Sequence, residues 1–262
     1  MSPRPNRSTP GVALVTGAAD RLGAAMALAL AGAGYAVIVH HRGGADKARA
    51  LVAEINATGG RAAALKADLA VRAQRAALVG KAARPFGPLT VLLNNASQFE
   101  PDSVADLDDE LWRQHFAVHV EAPAFLARDF AAQLPAGIEG NIVNIVDERV
   151  LHLTPNYFSY TLSKATLATM THTLAQSLAP RIRVNAIAPG PTLREKSQTV
   201  AAFRQSQAGS PLGYGATPAD VAGALLYLLD ARAVTGQLIA VDGGRSVDFP
   251  PRRGPTPRRP AK

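Results

Sequence analysis

The chain of 262 residues contains no cysteine. Disulfides, thiolate-bound metals and cysteine nucleophiles are thereby excluded. Aromatic residues make up only 5% of the sequence, so the core must rest on aliphatic side chains and alanine, which suits helices packed closely on a sheet. No apolar run approaches the ~20 residues that a membrane-spanning helix needs. The opening "MSPRPNRSTPG" lacks the apolar stretch of a secretory signal. A cytoplasmic location without membrane contact is the simplest expectation.

Charge is present but badly placed for nucleic-acid binding. The net charge is +8, of which residues 1–10 carry +2 and residues 246–262 carry +4, leaving +2 over the body at 11–245. The first ten residues read as a flexible N-terminus. The tail "PPRRGPTPRRPAK" is rich in proline and arginine and poor in apolar residues, a composition that favours disorder. Weak tail contact with an acidic polymer is one reading of it, and a solvated tail is the other. No internal repeat and no linker are found before residue 246.

From Gly11 onward, short apolar runs alternate with helical stretches. Strands are expected at 12–17, 35–41, 61–69, 89–96, 140–147, 181–190 and 237–244. Helices are expected at 21–33, 45–58, from about 70 to 84, 107–134, 156–179 and 218–230. This alternation predicts one α/β domain over 11–245: a doubly wound parallel sheet of the Rossmann type, covered on both faces. Ligands of such sheets lie beyond the carboxyl ends of the strands. The strand ends near 17, 41, 68, 94–97, 147 and 189–190 are therefore the places to look for chemistry.

The first such end reads "VTGAADRLGAA" (15–25). Gly17 allows a tight turn, and Gly23 allows close packing of the following helix, whose N-terminus attracts a pyrophosphate. Arg21 adds a guanidinium able to pair with phosphate. The second strand ends in "HHRGG" (40–44). An acidic residue, the usual acceptor for a free ribose 2′-hydroxyl, is missing there, and Arg42 favours a 2′-phosphate instead. His41 and the Gly43 backbone are expected to add donors. Arg21 and Arg42, expected to converge at the adenosine end, point to NADPH over NADH.

"YTLSK" places Tyr160 and Lys164 one helical turn apart on a shared face. An ammonium beside a phenol favours the phenolate and is expected to lower the tyrosine pKa from about 10. The pair suits proton delivery beside a nucleotide. His40, His115, His152 and His172 form no metal-like cluster with carboxylates, and no metal is expected.

Taken in order and spacing, "TGxxxxxG", "NNAS" (94–97), Tyr160 with Lys164, "RVNAIAPG" (183–190) and "VDGG" (241–244) resemble the short-chain dehydrogenase/reductase family over about residues 11–245. The resemblance implies a seven-stranded doubly wound sheet, a nicotinamide cofactor and a homodimer or homotetramer. It also implies cofactor contacts from Leu22 in the first loop, Asp68 and Leu69 at the adenine, Asn95, Ala96 and Ser97 along the cofactor, and Pro189 and Gly190 beside the nicotinamide.

Two departures narrow the substrate. Most members of the family carry serine at the end of the fifth strand, where this chain has Asp147. A carboxylate repels a developing alkoxide but suits a proton-rich heterocycle. With Arg21, "HHRGG" and "NNASQF", Asp147 is similar to the pteridine reductase and dihydromonapterin reductase subgroup. That likeness implies that Arg21 and Ser97 reach the substrate, that Phe99 stacks on a pterin ring, and that Asp147 and Tyr160 relay the proton. His119 stands where many members have asparagine, and it is read either as a relay member or as a core histidine. The polar stretch 191–216 is expected to cover the substrate. The function expected is reduction of a dihydropterin C=N bond by NADPH, with carbonyl or 3-oxoacyl reduction as the alternative.

Overall fold

The computed structural model describes residues 11–195 and 198–247. The expected flexible N-terminus (1–10) and the tail from 248 onward lie outside the described residues. The elements run β1 (Val12–Val15), α1 (Arg21–Gly32), β2 (Ala36–His41), α2 (Ala45–Ala57), β3 (Arg61–Lys66), α3 (Arg72–Ala82), β4 (Leu89–Asn94), α4 (Asp109–Phe116), α5 (Ala122–Gln133), β5 (Gly140–Ile145), α6 (Phe158–Leu178), β6 (Ile182–Pro189), α7 (Val200–Ala208), α8 (Pro218–Asp230) and β7 (Leu238–Val241). The strands form one sheet in the order β3-β2-β1-β4-β5-β6-β7, and every pairing is parallel. The strand order reverses between β1 and β4, which opens the crevice used by ligands of this architecture.

Successive strand residues point to opposite faces, and both faces are apolar here. Val37 and Val39 pack with Met26, Leu30 and Leu225 on one side. Leu14, Ile38 and Leu92 pack with Leu78, Leu126 and Phe130 on the other. Each such fully buried side chain contributes about 1.5–3 kcal/mol. A polar chain also crosses this interior. The Asn94 amide donates to Asn144 Oδ1 at 2.8 Å, the Asn144 amide donates to Thr171 Oγ1 at 2.9 Å, and Thr171 donates to the Leu167 carbonyl at 2.9 Å. These three polar side chains are buried.

Local signals start and stop the helices. Asp20 accepts from the Arg21 amide at the start of α1. Thr217 and Asp220 form a capping box ahead of α8, with Pro218 in its first turn. Arg183 on β6 donates to the carbonyls of Leu228, Leu229, Ala231 and Val234, and so satisfies the carbonyls that a helix end leaves unpaired.

Two elements differ from the sequence expectation. The single helix expected at 107–134 is α4, a π-helical turn at Ala117–Glu121, and α5. A wider turn of this kind is invisible to a 3.6-residue periodicity. The polar stretch 191–216, to which the sequence assigns no helix, contains α7, which starts at a Thr199 cap. β1, β3, β4, β5 and β7 also stop two or three residues short of their expected ends, and β6 one residue short. Positive backbone φ at Gly17 (62°) and Gly243 (69°) turns the chain out of the sheet just after β1 and β7. Among the described residues no helix is long and apolar enough to cross a membrane.

Candidate active site

A cleft of about 830 Å³ opens along the carboxyl rim of the sheet. Every expected strand end contributes to it: Gly17, Arg42, Gly43, Asp68, Leu69, Asn95, Ala96, Ser97, Asp147, Pro189 and Gly190 line its walls, together with Arg21, Leu22 and Gly23. Phe99, Tyr160 and Lys164 line the same space. His41 does not. Its ring is buried, and Nδ1 lies 3.0 Å from the Gly43 carbonyl. His40 takes the place expected of its neighbour. Its Nδ1 accepts from the Gly17 amide at 3.1 Å, so the opposite nitrogen carries the proton and donates to the Ala67 carbonyl at 3.1 Å. Burial lowers the His40 pKa to about 4, which keeps the ring neutral.

The first loop is closely built. A Cβ on Gly17 would stand 2.8 Å from Ala96 Cα, and one on Gly23 would stand 2.3 Å from the Gly17 carbonyl oxygen. Asn95 locks the loop from β4, donating to the carbonyls of Thr16 at 2.8 Å and Gly17 at 3.1 Å. Arg21 adopts a left-handed backbone (φ 55°), unusual for a residue other than glycine. Its guanidinium donates to the carbonyls of Arg194 at 3.0 Å and Leu193 at 3.2 Å. Arg21 thereby ties the first loop to the stretch that follows β6, and it lines the same cleft as Arg42. Arg42 is exposed at the cleft. Lys47 pairs with Asp20 at the mouth.

At the other end, α6 presents Tyr160 and Lys164. The Tyr160 hydroxyl donates to Asp147 Oδ2 at 2.9 Å. Lys164 Nζ lies 5.8 Å from the Tyr160 ring centre and donates to the Ile145 carbonyl at 2.8 Å. Burial lowers the Lys164 pKa to about 8. The expected lowering at Tyr160 is not found. Burial, and then the charge and hydrogen bond of Asp147, hold the phenol well above its usual value. Tyr160 is therefore a protonated donor aimed at a carboxylate.

Asp147 is itself occupied by Arg149. The Arg149 backbone amide donates to Oδ1 at 2.9 Å, and its guanidinium reaches the two carboxylate oxygens at 3.3 and 3.5 Å. The same guanidinium lies 5.1 Å from the Phe99 ring centre and 4.8 Å from that of Tyr157. Phe99 stacks on Tyr157 at 4.3 Å and meets Tyr160 edge-on at 4.7 Å. Sequence reasoning found Phe99 but missed Arg149 and Tyr157. The charged run "DER" at a strand end was the available signal for Arg149.

His119 sits on the π-helical turn, almost fully buried. The Gln98 amide donates to its Nε2 at 3.2 Å, and Ser97 Oγ lies 2.9 Å from the same nitrogen. The proton is thus on Nδ1, which donates to Ser163 Oγ at 2.8 Å. Burial, then the Lys164 charge, hold its pKa well below the usual histidine value. His119 is a neutral brace between the Ser97 loop and α6. Among the described residues no group of three or more potential ligands could hold a metal.

Known proteins share this construction. A family profile described as Enoyl-(acyl carrier protein) reductase matches residues 17–246. An uncharacterized oxidoreductase of Methylorubrum extorquens is 38% identical over 241 residues, covering 89% of this chain and 96% of its own. The crystal structure of FolM alternative dihydrofolate reductase 1 from Brucella suis, in complex with NADP, superposes with a TM-score of 0.88 at 43% identity, covering 91% of this chain and 96% of that one. The angucycline C-6 ketoreductase LanV with bound NADP gives 0.84 at 31% identity, with coverage of 91% and 96%. The chain belongs to the short-chain dehydrogenase/reductase family.

Proposed function

We propose that this protein is an NADPH-dependent short-chain oxidoreductase that reduces the C=N bond of a dihydropterin. The observation that carries the substrate reading is the 2.9 Å hydrogen bond from Tyr160 to Asp147 at the end of β5. A phenol and a carboxylate in contact can pass a proton to a ring nitrogen. The similarity to a dihydrofolate reductase structure supports the same substrate class.

The cleft fits a phosphorylated dinucleotide. The tight turn at Gly17 and the close packing at Gly23 bring the N-terminus of α1 to the cleft, the setting in which pyrophosphates bind. Arg42 is exposed in the cleft and has no hydrogen-bond or ion-pair partner among the described residues, so its guanidinium is available to a 2′-phosphate. Leu22 and Gly43 would complete that end, Asp68 and Leu69 would take the adenine, and Asn95, Ala96, Ser97, Pro189 and Gly190, which line the same cleft, would hold the remainder of the cofactor. When bound, NADPH supplies the hydride. Lys164 would hold the ribose hydroxyls. Tyr160 gives its proton to the substrate nitrogen, and Asp147 returns one from water. Arg149 keeps Asp147 in place. Arg21, Ser97 and Phe99 border the substrate.

One observation favours a second reading. Arg149 offsets the charge of Asp147, which weakens the repulsion a developing alkoxide would meet and brings a carbonyl or 3-oxoacyl substrate within reach. The similarity to a ketoreductase agrees with that reading. The deciding experiment is NADPH oxidation by the purified protein with dihydropterins, dihydrofolate and a panel of ketones. Turnover of ketones with no activity on any pterin overturns the first reading.

A further inference from the structure

Glu148 takes no part in the proton relay, yet it is buried where three elements of the substrate end meet. It follows Asp147 in a short 3-10 turn, Glu148–Val150, and its side chain is 8% exposed. Oε1 forms an ion pair with Arg245, whose Nε lies 2.8 Å away. Oε2 is buried without a hydrogen-bond partner among the described residues. It lies against the end of β6, where a Cβ on Gly190 would stand 3.1 Å from it.

Arg245 belongs to the turn after β7. Asp242 fixes that turn by accepting from the amides of Gly244 at 2.8 Å and Ser246 at 2.7 Å. Arg245 Nη1 then donates to the Ser206 carbonyl at 2.9 Å and the Ser206 hydroxyl at 3.2 Å. Ser206 lies on α7, which borders the cleft through Phe203 and Ser206. No residue of α7 is buried. A helix without a buried face is held by its polar ties. Besides Arg245, the other side-chain tie from α7 to the body among the described residues is Gln207 to the Pro191 carbonyl at 3.0 Å.

We propose that Glu148 is a positioning residue: through Arg245 it holds helix α7 against the substrate end of the cleft, and it does so only when ionised. The charged groups facing it are Arg245 and Asp242 from the turn after β7, and Asp147 and Arg149 from its own turn. Burial raises its pKa to about 7; Arg245 and Arg149 pull it down, and Asp147 and Asp242 push it up. Above that pH the carboxylate grips the guanidinium. Below it the bond loses its charge assistance and α7 loosens.

The test is hydrogen exchange of the full chain, read on peptides spanning 200–208 at pH 6 and pH 8 after correction for intrinsic rates. Wild-type protection is expected to be about tenfold higher at pH 8, the size of one charge-assisted bond, with a midpoint near 7. Glu148→Gln should show the low value at both pH values, and Glu148→Asp should restore the pH dependence. The pH titration of wild type stands as a test even where a variant fails to fold. Equal protection at both pH values in wild type, or a pH dependence that survives in Glu148→Gln, overturns the proposal. A second readout rests on the reductase reading: on whichever substrate is turned over, Glu148→Gln should raise KM about five- to tenfold at pH 8 with kcat within about twofold. A fall in kcat at unchanged KM overturns the positioning role. Absence of all turnover counts against the reductase reading and leaves the exchange result to decide this one.

Discussion

His40 makes the nucleotide loop sensitive to acid, and the size of the effect follows from its surroundings. The neutral ring accepts from the Gly17 amide and donates to the Ala67 carbonyl. Protonation would place a donor against the Gly17 donor inside an almost dry site. Burial, with a smaller contribution from the neighbouring His41, depresses the pKa from 6.5 to about 4. A depressed pKa means that the unfolded chain takes up the proton first. The stabilising contribution is complete above about pH 6.5 and is lost as pH falls toward 4. By pH 5 the linkage amounts to about 2 kcal/mol. His40→Gln keeps a donor and an acceptor but cannot titrate. At pH 7.5 the variant should be less stable by about 1–3 kcal/mol, the cost of imperfect hydrogen bonding in a buried site. Between pH 7.5 and pH 5, wild type should lose about 2 kcal/mol relative to the variant. Urea denaturation curves at the two pH values measure this directly, because contributions from other titrating groups cancel in the comparison. A stability gap that stays the same at both pH values refutes the reasoning.

Arg42→Ala should weaken NADPH binding about 10- to 100-fold, the worth of a charge-assisted bond to phosphate, and leave NADH binding nearly unchanged; calorimetric titration with both nucleotides checks it. Tyr160→Phe should lower turnover at least about 10²-fold while the NADPH dissociation constant stays within about threefold of wild type, as steady-state kinetics and fluorescence titration would show. Phe130, fully buried against Leu126 and Leu134, should cost about 3–5 kcal/mol on truncation to alanine, read from urea midpoints. The dimer or tetramer expected from the family likeness predicts two or four times the 27.3 kDa chain mass in light scattering.

Much of the fold was legible because a doubly covered parallel sheet writes its strands as apolar runs, as in "VALV" and "AVIVHH", and marks their ends with glycine and charge. The π-helical turn was not, because its side chains keep a helical pattern on both flanks. The role of His40 was not legible because His40 and His41 sit at one strand end, and neighbouring residues on a strand face opposite sides. Which side carries the loop at Gly17 depends on pairing that only the fold supplies. Tyr160 and Lys164 were legible as a pair through their helical spacing, and Asp147 through the family resemblance. Arg149 was overlooked although it is two residues from Asp147, since its partners Phe99 and Tyr157 come from other segments. The tie from Glu148 to Arg245 joins residues 97 positions apart, and no periodicity reports such a contact. The hold of Arg21 on Leu193 and Arg194 depends on where a distant loop comes to rest, which the glycine-loop pattern does not report.

The chain of Asn94, Asn144 and Thr171 constrains how this protein can change over generations. Each member satisfies the next inside a dry interior, so replacing one leaves its neighbour with a buried, unpaired group, at a cost of about 1–3 kcal/mol. Replacing all of them with apolar groups of similar shape removes that cost together with its cause. A lineage leaving this arrangement one substitution at a time crosses a less stable intermediate, and these positions are therefore expected to be inherited as a block.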